Sequence, residues 1–208
     1  MALHPSDWRD WWGGMARHVG MLCLQVLSVV QVAYAGDMRL PQAAREQVGV
    51  TVTYDPAYRR LDYPGGDMDP STGVCTDVVI RAFRVLGDDL QVRVHDDMRR
   101  HFDAYPKLWG LHRTDRNIDH RRVPNLQTFF TRHGKRLPIT MDAEDYQPGD
   151  IVTWRLSNGL PHIGLVSDRR SREGVPLILH NIGAGTQEQD MLFAFEITGH
   201  YRYAPPAP

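Results

Sequence analysis

The chain has 208 residues, enough for one domain of ordinary size. Its 42% apolar and 24% charged residues are those of a globular protein rather than a disordered or fibrous one. With 24 Lys and Arg against 25 Asp and Glu, the formal net charge is −1, which argues against nucleic acid as a partner.

Residues 1–35 read as an export signal. Arg17 and His18 precede an apolar run over 19–35 that ends Ala33-Tyr34-Ala35, with small residues where a signal peptidase cuts. Cleavage after Ala35 leaves residues 36–208 as a single periplasmic or secreted domain with no stable membrane insertion. An uncleaved run of this length would instead serve as an anchor. Cys23 departs with the signal, so Cys75 is the one cysteine of the mature chain. Exported cysteines are ordinarily paired. A lone one points to an intermolecular bridge, a reactive thiol or a small buried residue.

Residues 41–49 predict a short helix with Pro41 in its first turn and Gly49 past its end. Residues 54–74, ending YPGGDMDPSTG, are turn-rich and read as a loop. Val78, Val79, Ala82, Phe83 and Leu86 then recur at helical spacing. They predict a helix over 75–86 that ends at Gly87 and places Cys75 in its first turn. A further helix is predicted over 95–103, a polar connection over 110–122, and a helix from Pro124 to Gly134. Segments 150–154, 162–167, 176–181 and 191–203 read as consecutive strands of an antiparallel meander. Helices first and strands later define an α+β domain.

Unsatisfied amides and the dipole at a helix start favour thiolate over thiol at Cys75. They also supply donors for the oxyanion of acyl transfer. Such a thiol needs an imidazole to take its proton, and a third polar group to orient that imidazole. His162 opens one predicted strand and His180 closes the next. Asn181 is an equally suitable orienting group, and adjacent strand residues face opposite ways, so only one of the pair can serve. Two histidines and a cysteine would also suit zinc. A nucleophilic site needs no metal and no cofactor, and none is implied otherwise.

The order Tyr63-Pro64-Gly65-Gly66, Cys75 at a helix start, QPGDIV, HIGLV and LH resembles the NlpC-type cell-wall cysteine peptidases, which are papain-related. The resemblance implies a papain-like α+β fold with the nucleophile helix packed on the sheet. It implies Cys75 as nucleophile, His162 as base, His180 as orienting residue and Tyr63 near the oxyanion. The chain departs from the family's Cys-Ser-Gly at Cys75-Thr76-Asp77, which puts a carboxylate in the first helical turn. Asp77 there is expected to cap amides or repel an anionic substrate. The blocks YPGGD, GVCTDVVIRA, NIDHRRVPNL, PGDIV, HIG, HNIG and GHYRY more closely resemble the exported bacterial family known as domain of unknown function 1287. Within NIDHRRVPNL, Asp119, His120, Arg121 and Arg122 would either clamp a substrate carboxylate or pin a loop by salt bridges.

The function these residues imply is a cysteine hydrolase cutting an amide of peptidoglycan or its stem peptides, acting as a monomer. The alternatives are a non-catalytic cell-wall binding module and a papain-like acyltransferase, the latter with a drier, more apolar cleft.

Overall fold

The structure, a computed structural model, describes residues 38–204. The predicted signal lies outside them. No helix of the described residues is long and apolar enough to cross a membrane.

Helix α1 spans Arg39–Arg45, and a turn carries the chain on to Gly49, whose φ of +78° takes it out of the helical path. Two short strands, β1 (Thr53–Tyr54) and β2 (Thr72–Gly73), pair in parallel and bring the long loop between them back beside its start. Helix α2 (Cys75–Val85) follows β2 directly. Helix α3 runs Leu90–Arg100, five residues earlier than the sequence predicts. Its start is fixed by Asp89, whose carboxylate accepts the Gln91 N–H at 3.0 Å, a cap hidden by the polar run that follows. Helix α4 is Val123–His133, with proline in its first turn.

Strands β3 (Lys135–Arg136), β4 (Ile151–Arg155), β5 (Pro161–Arg170), β6 (Pro176–Asn181), β7 (Thr186–Gln189) and β8 (Glu196–Arg202) form one antiparallel sheet in the order β3-β8-β4-β5-β6-β7. The predicted meander holds for β4 to β6, and β7, which the sequence does not predict, extends it. The last strand does not continue it; β8 crosses back and pairs with β4. Residues 191–195 are turn rather than strand.

Side chains alternate across this sheet. Ile163, Leu165 and Leu179 face α2 and pack with Val79, Ala82, Phe83 and Phe130. Val152, Trp154, Val166 and Ile178 form a second core with Tyr146 and Leu192 on the opposite face. Central strands buried on both faces explain why their sequences show no clean polar alternation.

The PGD and GHYRY blocks meet at β4 and β8. Buried Asp150 receives His200 Nε2 at 2.8 Å, Arg202 Nε at 2.7 Å and the Gln147 N–H at 3.0 Å. His200 Nδ1 donates to the Pro138 carbonyl at 3.1 Å, and Tyr146 stacks on the ring. One carboxylate therefore ties the turn before β4 to the last strand. Asp150→Ala removes this shared acceptor and leaves the buried His200 imidazole without its carboxylate. Its cost should be roughly 3 kcal/mol in urea unfolding, and a loss below about 1 kcal/mol would show that the carboxylate is dispensable.

Candidate active site

Cys75 opens α2 after an extended Val74, so its backbone carries the helix's first amides. Asp77 closes that turn, accepting the Val74 N–H at 2.7 Å. Its carboxylate also takes a bidentate guanidinium, Arg121 Nε and Nη2, each at 2.9 Å. Asp77 is thus a cap and a buried ion-pair partner, with its charge matched by Arg121.

His162 and His180 lie on one face of the sheet, their rings edge to face with Nε2 of His162 3.0 Å from Nδ1 of His180. The register sets Gly164 beside His180, where an added Cβ would come within 3.1 Å of the His180 Cβ and 2.7 Å of Ile178. The glycine of HIG is required by this close approach. The histidine face carries Trp154, whose ring contacts His162. It is not the face on which α2 packs, so the expectation that the sheet face itself gathers all three residues is corrected. Cys75 and His162 both line one cleft at the end of the sheet, where β5 begins. The Ile163 amide, next along β5 from His162, points its N–H at the Cys75 sulfur.

Asn181 turns the other way from His180, as strand alternation requires. Its Nδ2 donates to the Gly73 carbonyl at 3.1 Å and its Oδ1 accepts the Gly183 N–H. It anchors the segment leading into Cys75 and does not touch His162. A residue absent from the sequence reading completes the chain. Gln189, on β7, accepts at Oε1 from His180 Nε2 at 3.0 Å. An amide oxygen only accepts, so His180 carries its proton on Nε2 and offers Nδ1 as a lone pair. His162 then donates from Nε2, which leaves its Nδ1 as the free base.

Burial dominates the electrostatics. It pushes the Cys75 thiol up to about 12, against the Ile163, Thr76 and Cys75 amides that favour thiolate, and Asp77 adds to the rise. Burial lowers His162 to about 3, helped by the neighbouring His180. It lowers His180 to about 4, with Gln189 opposing. The helix dipole therefore does not acidify this thiol as the sequence implies; at neutral pH the resting site is thiol beside neutral imidazole.

Tyr63 is not near Cys75. Gly65 and Gly66 donate to Asp89 and Gln91, which draws the YPGG turn onto α3, and the Tyr63 ring packs against His95. The tyrosine in the cleft is Tyr54 on β1, held protonated because burial and the Cys75 and Asp77 charges raise it to about 12. Asp119 and His120 do not line the cleft. Asp119 is buried and accepts the Asp115 N–H at 2.7 Å and His95 Nδ1 at 3.3 Å. His120 is 1% exposed, and burial lowers it to about 3. They pin the loop, and of the four polar residues 119–122 only Arg121 and Arg122 line the cleft. Among the described residues no group of three His, Cys, Asp or Glu side chains is gathered so as to hold a metal ion.

Fold and cleft together define an α+β domain with a helix-borne cysteine and a strand-borne histidine at one opening. The chain belongs to the family described as Domain of unknown function (DUF1287), whose model matches residues 41–203. It is 56% identical over 176 residues to the Uncharacterized protein YijF of Escherichia coli (strain K12), covering 85% of this chain and 86% of that protein. It is also similar to the solved structures of NlpC1 and NlpC2 from Trichomonas vaginalis, each 18% identical, with TM-scores of 0.44 and 0.42. Those alignments cover 82% and 83% of this chain, which spans 45% and 48% of theirs.

Three histidines held neutral by burial give a signed pH dependence. His120, His162 and His180 have folded values below the ordinary 6.5, so the unfolded chain binds protons that the folded chain refuses. Their contribution is intact above about pH 6.5 and is lost as pH falls towards about 3 to 4, by up to about 1.4 kcal/mol per pH unit for each. Urea midpoints should therefore drop between about pH 7 and about pH 4.5. His120→Gln should flatten that slope, and an unchanged slope would contradict the burial assignment.

Proposed function

We propose that this protein is an exported cysteine hydrolase that cleaves an amide bond of peptidoglycan, with Cys75 as nucleophile and His162 as base. The observation that carries the reading is the directed chain Gln189–His180–His162, whose last member lines the same cleft as the Cys75 thiol. The signal pattern of residues 1–35 and the likeness of the motifs to cell-wall peptidases support the compartment and the substrate.

Cys75 Sγ attacks the amide carbon as His162 Nδ1 takes its proton. The carbonyl π pair moves to oxygen, and the oxyanion is met by first-turn amides of α2 and by the Tyr54 hydroxyl. The C–N bond then breaks, and the imidazolium returns its proton to the leaving amine. A thioester remains. Water, deprotonated by His162, attacks it, and the sulfur leaves and recovers its proton. Starting from a neutral pair, the site develops its charges only as substrate fills the cleft. His180 holds the imidazolium through Nδ1, and Gln189 keeps His180 in the tautomer that can accept.

A second reading, acyl transfer to an amine or hydroxyl acceptor, draws on the apolar side chains around the opening. Both are tested by mass spectrometry of purified muropeptides incubated with the protein and with Cys75→Ala. New shortened fragments made only by the unaltered protein are expected. Ligated products would favour transfer. Absence of any product, with both proteins binding sacculi equally, would replace catalysis with a binding role.

Gln189→Leu should lower kcat/KM about tenfold, less than the ~10⁴-fold that misorienting a buried triad aspartate costs, because Gln189 is exposed and one step further from the base. Gln189→Glu keeps an acceptor and should retain most of the activity. Equal losses in the two variants would mean that Gln189 acts through packing alone.

A further inference from the structure

The cleft beside Cys75 encloses about 410 Å³, and its walls are uneven in charge. Among the described residues no aspartate or glutamate lines it. Arg121 is matched by Asp77, but no carboxylate among the described residues pairs with Arg122. The Arg122 guanidinium lies over the Trp109 ring, 4.9 Å from its centre. Its Nη1 is shut off from solvent and makes no hydrogen bond.

Trp109 adds an independent observation. It has a φ of +56°, the left-handed region that large side chains rarely adopt, and it is followed by Gly110 at +68°. This turn leaves the indole 62% exposed at the cleft. Leu160 on the β4–β5 turn and Ile182 after β6 are also exposed and line the same cleft. Strain and exposed apolar surface are both costs to the free protein, and here they converge on one opening.

We propose that Arg122 and Trp109 form a substrate subsite for a carboxylate carried on an apolar body, with Leu160 and Ile182 receiving the apolar part. The guanidinium, which lines the cleft, offers its remaining N–H donors to the carboxylate, and the indole face holds the guanidinium in place. A cationic amine would find no anion in this cleft. The subsite rests on the catalytic reading only for its place beside the scissile bond, and binding can be measured without the chemistry.

The test uses Cys75→Ala protein, Trp fluorescence or calorimetry, and two probes that differ in one group: N-acetyl-leucyl-alanine and its C-terminal amide. The acid should bind at least about tenfold more tightly, the ratio that corresponds to one charge-assisted pair of about 1.4 kcal/mol. Arg122→Gln should abolish the difference, Arg122→Lys should keep part of it, and Trp109→Ala should weaken both probes. Octanoate separates sources of the same chemistry. Tighter binding of the peptide acid assigns a peptide carboxylate, and tighter binding of octanoate assigns a lipid one. Equal affinities for acid and amide, a preference that survives Arg122→Gln, or no binding of either probe would overturn the subsite. Alkylation and turnover at Cys75 are read separately, so failure of the catalytic reading leaves a distinct signature.

Discussion

The contact between His162 Nε2 and His180 Nδ1, at 3.0 Å, sets the chemistry available to this fold. Two imidazoles this close cannot both be cations without large repulsion, and burial disfavours charge on either. The pair is therefore a neutral donor–acceptor chain with a direction. Gln189 sets that direction from one end, and at the other His162 lines the same cleft as Cys75. The approach exists because Gly164 has no side chain. A residue that looks like a mere spacer in HIG is what allows two strands to hold their histidines together.

The surroundings follow from the need to bury this chain without burying loose charge. Asp77 would oppose a thiolate if it faced the sulfur alone, but it is turned into its own helix and paired with Arg121. Arg121 in turn is held by a loop that Asp119 and Asn125 fasten from beneath. Asn181 ties the segment before Cys75 to β6. Asp150 performs the same service at the far side of the sheet, joining β4 to β8. Asp77 and Asp150 thus each meet a guanidinium and a backbone N–H, as a low-dielectric interior requires.

Much of this was legible in residue spacing. The periodic run after Cys75 gave α2, and the short apolar segments gave β4, β5 and β6, because burial of one face leaves a repeat in the sequence. Strand β7 left no such mark. Thr-Gln-Glu-Gln is polar throughout, and with it Gln189 went unread. Helix α3 was placed late because Asp89 is one acid among many. The position of β8 is a matter of topology, which short-range pattern does not encode. The resemblance of YPGG to the NlpC-type motif implies Tyr63 near the oxyanion. The parallel pairing of β1 with β2, a contact between distant residues, puts Tyr54 at the cleft instead.

The direction of the histidine chain is the claim on which the rest turns, and imidazole nitrogen NMR reads it. Long-range proton–nitrogen spectra of the selectively labelled protein at neutral pH should show His162 and His180 both neutral and both protonated at Nε2. A proton on Nδ1 of His162 would mean that the chain runs the other way and that no base faces Cys75, which would contradict the account.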